Sequence, residues 1–159
     1  MKKIVILYSE YSPLIDAIKY QLSDCFVDCV TSLNNNEIYD LVVLANYNGI
    51  FDGDAIACHH SLLPAFDTKT PVKDAVITGV KVTGITVYHT KTKKIIAQYP
   101  VFISNSMHYD ELKQELTYLE QTIYPLVIKK IINNEPVELS KIMKKSCGTT
   151  CGGCTSCSH

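Results

Sequence analysis

Apolar residues run unbroken through Ile4-Val5-Ile6-Leu7-Tyr8, which predicts a strand buried on both faces, as in a parallel sheet. Ser12 suits a helix N-cap and Pro13 the first helical position; Leu14, Ala17, Ile18 and Leu22 then share one face of the predicted helix. Residues 26–30 and 41–45 are the next strand candidates, separated by the polar turn Asn34-Asn35-Asn36. A strand, helix, strand opening of this kind implies a parallel α/β sheet. Ala55-Ile56-Ala57-Cys58 is a further buried run that delivers His59 at its end. Residues 72–77 read as a short helix, and residues 82–89 and 95–103 as the two arms of a hairpin. From 107 to 132 the stripe Leu112, Leu116, Leu119, Ile123 and Val127 predicts a long helix with a kink at Pro125.

A chain of 159 residues with 47% apolar content suffices for one core. Residues 1–143 are expected to form a single domain, with 135–143 as a short arm. Residues 144–159 carry Gly148, Gly152 and Gly153 and almost no apolar side chains, so they read as a flexible tail outside the core. A net charge of −1 and the absence of arginine argue against nucleic acid as a partner. The apolar run at the N-terminus is too short for a signal peptide, and no segment approaches the ~20 apolar residues of a membrane span. A soluble, cytoplasmic protein is expected.

Two features carry chemistry. His59 at a strand end is placed to exchange a proton near neutral pH, and strand ends of open α/β sheets are where ligands collect. Four of the seven cysteines, Cys147, Cys151, Cys154 and Cys157, fall in the last thirteen residues with His159 behind them. Thiolates at this spacing suit a [4Fe–4S] cluster or a tetrahedral zinc, and the alternative is a thiol tail without a specific metal. Cys25, Cys29 and Cys58 read as structural, His60 as a solvated neighbour of His59, and Asp52, Asp54 and Asp67 as turn residues.

The segment His59-His60-Ser61-Leu62-Leu63-Pro64 resembles the His-Pro-Ser-Leu-Leu-Pro signature of the formyltetrahydrofolate-dependent formyltransferases, phosphoribosylglycinamide formyltransferase-like, with His60 in place of proline. Four more segments match in order: residues 41–45, the Gly79 to Val87 stretch with its Gly-x-Thr-Val ending, Ile95-Ile96-Ala97-Gln98, and Tyr124-Pro125. The resemblance implies a Rossmann-like formyltransferase fold, a mostly parallel sheet flanked by helices. It implies 10-formyltetrahydrofolate as a small-molecule one-carbon donor, held near Val43, Leu44, Ala45 and Tyr47, and His59 as the proton carrier.

This chain also departs from the family pattern. Ala57 stands where the family has an asparagine, and losing such an oxyanion donor costs roughly 100- to 1,000-fold in rate. The segment Tyr88-His89-Thr90-Lys91-Thr92-Lys93-Lys94 is short and holds no carboxylate in place of the family's aspartate loop. Ser9-Glu10-Tyr11-Ser12-Pro13 replaces its glycine-rich phosphate loop, which makes glycinamide ribonucleotide a poor fit. The sequence therefore favours a scaffold lacking most catalytic groups, a pseudoenzyme whose cysteine tail binds a metal or a protein partner. Its rival is a divergent formyltransferase acting on an amine through His59.

Overall fold

The computed structural model describes residues 1–33 and 37–138. The cysteine tail with Cys147, Cys151, Cys154 and Cys157, and most of the expected 135–143 arm, lie outside the described residues. The elements run β1 (Lys3–Leu7), α1 (Pro13–Gln21), β2 (Phe26–Val30), β3 (Leu41–Leu44), β4 (Ile56–His59), α2 (Pro71–Thr78), β5 (Val82–His89), β6 (Ile95–Phe102) and α3 (Tyr109–Ile132). They form a six-stranded sheet in the order β2-β1-β3-β4-β5-β6. The first four strands in that order are parallel; β5 is antiparallel to β4 and to β6. This is the Rossmann-like, mostly parallel architecture that the sequence implied.

The three helices share one core. Ile4, Ile6, Val43, Ile56, Ile85 and Val87 project from the sheet into a cluster with Leu14, Ile15 and Ile18 of α1, Leu22 at its C-cap, Val72 of α2, and Leu112, Leu116, Tyr124 and Ile128 of α3. Alternation along each strand sends the intervening residues, Val5, Leu7, Val42, Ala57, Thr86 and Tyr88, to the opposite face. That face is covered by loops. Leu33, Ile38, Tyr39 and Phe51 gather around Val42, and the Ser61 to Pro64 turn binds Thr86.

Local chemistry modifies three expectations. Ser12 occupies the N-cap of α1 with extended backbone, but its hydroxyl makes no capping bond and is buried without a partner among the described residues. The Ile15 amide instead donates to the Ser12 carbonyl at 3.0 Å. The buried face of α1 is Leu14, Ile15, Ile18 and Leu22, with Ala17 only half-buried. Helix α3 runs continuously through Pro125, whose missing N–H costs about 3 kcal/mol in a helix interior. Burial of Ile123, Tyr124, Val127 and Ile128 around it offsets that cost.

Two glycines are required by geometry. Gly79 ends α2 in the left-handed region at φ 73°, with its N–H donating to the Ala75 carbonyl at 3.1 Å. A Cβ at Gly84 would collide with the Tyr99 carbonyl oxygen on β6 and crowd Leu62, so the hairpin closes only around glycine here.

Candidate active site

Strand β4 divides its side chains between two environments. Ile56 and Cys58 face α3; Ala57 and His59 face the loop-covered side. On the α3 side, Tyr124 is fully buried and its hydroxyl hydrogen donates to the Ile56 carbonyl at 2.7 Å and the Leu44 carbonyl at 3.0 Å, a shared donation that ties β3 to β4. Burial pushes the Tyr124 phenol far above its ordinary range. One helical turn earlier, Glu120 accepts from His60 Nε2 at 2.9 Å, with both side chains mostly shielded. His60 is therefore not the solvated neighbour the sequence suggested: it points toward α3 and meets a carboxylate 60 positions away in the chain. Burial, and after it the adjacent Glu120 carboxylate, drives the Cys58 thiol well above the usual thiol range. The Cys58 side chain is thus held toward its thiol form.

On the other side, His59 is half-buried, and its Nε2–H donates to the Phe66 carbonyl at 3.0 Å. A carbonyl can only accept, so this bond puts a proton on Nε2. In the neutral ring, Nδ1 then carries the lone pair, and no described residue hydrogen-bonds to it. Phe66 has φ 51°, a left-handed conformation uncommon for a bulky residue, and this bend belongs to the turn that presents its carbonyl to His59.

The turn between His59 and Phe66 is itself anchored. The Leu63–Pro64 peptide is cis. Ser61 is buried and donates to the Ala65 carbonyl at 2.6 Å. Thr86, also buried, donates to the Ser61 carbonyl at 2.6 Å and accepts from the Leu63 amide at 3.0 Å and from Gln98 Nε2 at 3.1 Å. Gln98 also donates to the Leu63 carbonyl at 2.8 Å. Thr86 and Gln98 belong to two of the matching segments, so their positions have a physical reason: they hold the loop that orients His59. Reading by element type does not find them, because their role is pairing across the sheet.

The other candidates are placed as follows. Ala57, only 7% exposed, brings no hydrogen-bonding side chain to His59's face. Asp54 pairs with His89 Nδ1 at 3.4 Å, and no described carboxylate hydrogen-bonds to His59. Val43 and Ala45 spend their side chains in the helix-covered core, which leaves half-buried Leu44 and Tyr47 as the accessible pair of that set. A cleft of about 400 Å³ opens beside Val42, lined also by Leu33, Glu37, Ile38, Tyr39, Phe51 and Asp54. After β1, the Ser9 amide donates to the Asn46 carbonyl at 3.1 Å, the Ser9 hydroxyl accepts from the Asn48 amide at 2.9 Å, and Asn46 Nδ2 donates to the Glu10 carbonyl at 3.1 Å. Tyr11 donates to Asp16 at 2.5 Å, and that carboxylate raises the Tyr11 phenol. With Glu10 and Asp16 near the N-terminus of α1 and the Ser9 amide already engaged, this loop is poorly suited to a phosphate. Among the described residues, no group of three or more His, Cys, Asp or Glu side chains could hold a metal ion. None of the described helices is long and apolar enough to cross a membrane.

This architecture, with a histidine held at the end of β4 by a turn pinned to β5 and β6, defines an α/β protein of formyltransferase type. The family model for formyl transferase matches residues 14–128, and the chain belongs to that family. It is 35% identical over 105 residues to the phosphoribosylglycinamide formyltransferase of Bacillus subtilis, covering 58% of this chain and 54% of that protein. It is 33% identical over 122 residues to the methionyl-tRNA formyltransferase of Protochlamydia amoebophila, covering 69% of this chain and 38% of that protein. The chain thus spans about half or less of the length of these curated relatives. Among solved structures, phosphoribosylglycinamide formyltransferase from Anaplasma phagocytophilum superposes with a TM-score of 0.70 at 20% identity, over 84% of this chain and 88% of that one. The enzyme from Bacillus halodurans gives 0.67 at 22% identity, over 82% and 95%.

Proposed function

We propose that this chain transfers a formyl group from a reduced folate to an amine, with His59 as the general base. The observation that carries the reading is the anchoring of His59: with Nε2–H held by the Phe66 carbonyl, Nδ1 is left to take a proton. The donor implied by the family is 10-formyltetrahydrofolate. Leu44 and Tyr47 are half-buried at the end of β3 and just after it; the separate cleft at Val42, Tyr39 and Phe51 is lined also by the carboxylates of Glu37 and Asp54, and the folate reading does not rest on it. The folate supplies the activated one-carbon unit; the protein's part is to orient the amine, accept its proton and exclude water.

The acceptor is an amine other than a nucleotide whose phosphate needs a glycine-rich cradle, since the Ser9 to Pro13 loop is acidic and closed by Asn46 and Asn48. The test is direct. Purified protein is titrated with 10-formyltetrahydrofolate and with tetrahydrofolate by calorimetry, and formyl transfer is followed with a panel of amines. Binding of reduced folate together with loss of transfer in His59→Ala supports the reading; absence of both binding and transfer overturns it.

The non-catalytic scaffold remains the second reading, favoured by the methyl group of Ala57 where an oxyanion donor is expected. Cysteine spacing separately motivates a [4Fe–4S] or zinc site at Cys147, Cys151, Cys154 and Cys157. Anaerobic purification followed by metal and sulfide analysis tests it.

A further inference from the structure

Formyl transfer needs a hydrogen-bond donor for the oxygen that gains charge as the amine attacks, and Ala57 has none to give. Sheet register shows what stands next to it. Ala57 pairs directly with Tyr88 across the antiparallel β4–β5 ladder, and His59 pairs with Thr86. Directly opposed residues share a face with Cβ atoms about 4.5–5.5 Å apart, and diagonal ones lie about 7–8 Å apart, within reach of an aromatic side chain. Tyr88 is therefore the cross-strand neighbour of the empty donor position and the diagonal neighbour of His59.

Three further observations single out this tyrosine. The pairing of β5 with β6 slips by one residue between Val87 and Tyr88, an irregularity of the kind that re-aims a side chain beside a site. Lys93, held at φ 57°, brings its ammonium to 5.2 Å from the centre of the Tyr88 ring. The half-buried Tyr88 hydroxyl makes no hydrogen bond to any described residue, so its proton is uncommitted. Burial first, and then the nearby Asp67 carboxylate, raises the phenol above its ordinary value, so it remains an O–H donor at neutral pH.

We infer that Tyr88 is the oxyanion donor of this site, replacing from β5 the amide that Ala57 lacks on β4, with Lys93 positioning the ring. The inference rests on the formyl-transfer reading above. In the step, the amine nitrogen of the acceptor attacks the formyl carbon of the N10-formyl folate, forming the new C–N bond. The C=O π pair moves to oxygen, which accepts a hydrogen bond from Tyr88, and the attacking nitrogen loses a proton to His59 Nδ1. Collapse restores the C=O bond and breaks the bond to N10, which leaves as tetrahydrofolate after taking that proton back from His59.

The test uses the full chain with 10-formyltetrahydrofolate as donor and hydroxylamine as a small amine acceptor, reading tetrahydrofolate release and formohydroxamate. Tyr88→Phe keeps the ring, its packing and the Lys93 contact, and an unchanged thermal midpoint verifies the fold. The expected result is a fall in kcat of roughly 100-fold, with the KM for the donor and the Kd for tetrahydrofolate each within about twofold of wild type. A kcat within about threefold of wild type, while His59→Ala abolishes transfer, overturns the role of Tyr88 and leaves the formyl-transfer reading intact. A parallel loss of donor and product affinity at unchanged kcat also overturns it, making Tyr88 a binding residue only. If wild type neither transfers nor binds reduced folate, the functional reading falls, and this inference with it.

Discussion

The two faces of β4 differ: one packs against α3, and the other carries the side chains proposed above to act in formyl transfer. Toward α3, Ile56 is fully buried, Cys58 is held toward its thiol form, Tyr124 reaches two strand carbonyls and His60 is matched by Glu120. Toward the loops, Ala57 offers only a methyl group, His59 has one nitrogen anchored, and the Tyr88 hydroxyl bonds to no described residue. On the first face His60 and Tyr124 are hydrogen-bonded; on the second, His59 Nδ1 and the Tyr88 hydroxyl make no hydrogen bond to a described residue. Such a division is what a preorganised site requires, since groups that react must be held rigidly without being consumed by the holding.

That contrast can be broken experimentally, most severely at His59. His59→Ala is expected to lower formyl transfer by roughly 100- to 10,000-fold while shifting the urea midpoint little. A variant that unfolds instead would mean the loop-covered face is also structural. Leu116→Ala on α3 should do the opposite, costing about 2–5 kcal/mol in denaturant unfolding because the side chain is fully buried. Transfer by the folded fraction should remain near wild type.

Smaller effects sharpen the same division. Glu120→Ala should cost about 1 kcal/mol, discounted because the pair with His60 is partly exposed. It should also lower the Cys58 thiol pKa toward, but not to, the ordinary value, since burial is the larger cause and stays; the pH dependence of thiol alkylation measures this. Lys130→Ala, which removes the surface pair with Glu135, should change stability by less than about 0.5 kcal/mol. If it cost more than Glu120→Ala, the distinction between anchored and solvated charges would fail.

Legibility followed the range of the interaction. Strands β1 and β4, the β5–β6 hairpin and α3 were readable because each carries its signal within a few residues, as a continuous apolar run, an alternation or a 3.6-residue stripe. Ordered segment matches reached further and pointed to the family. The pairing of His60 with Glu120 was hidden, since nothing near His60 announces a carboxylate on a helix far along the chain. The partner of His59 was hidden for a different reason: a backbone carbonyl has no residue type, and no motif encodes the bend at Phe66 that presents it. Placement of the three described helices on one face was equally unreadable, because a strand and helix alternation is compatible with either side. Val43 and Ala45, singled out by family position, have their side chains committed to the core by strand alternation, so any ligand contact at these two would run through the backbone.

The Tyr124 hydroxyl, joined to both the Leu44 and Ile56 carbonyls, has an evolutionary consequence. Those carbonyls flank the segment of residues 45–55, so one helix side chain clasps the two roots of that loop. Asn46, Asn48, Gly53 and Asp54 tie both ends of that loop to neighbouring segments, so the stretch free to drift without loosening the sheet is its middle, residues 49–52. Insertions, deletions or grafted sequence within that stretch are therefore an inexpensive route by which this fold acquires new ligands.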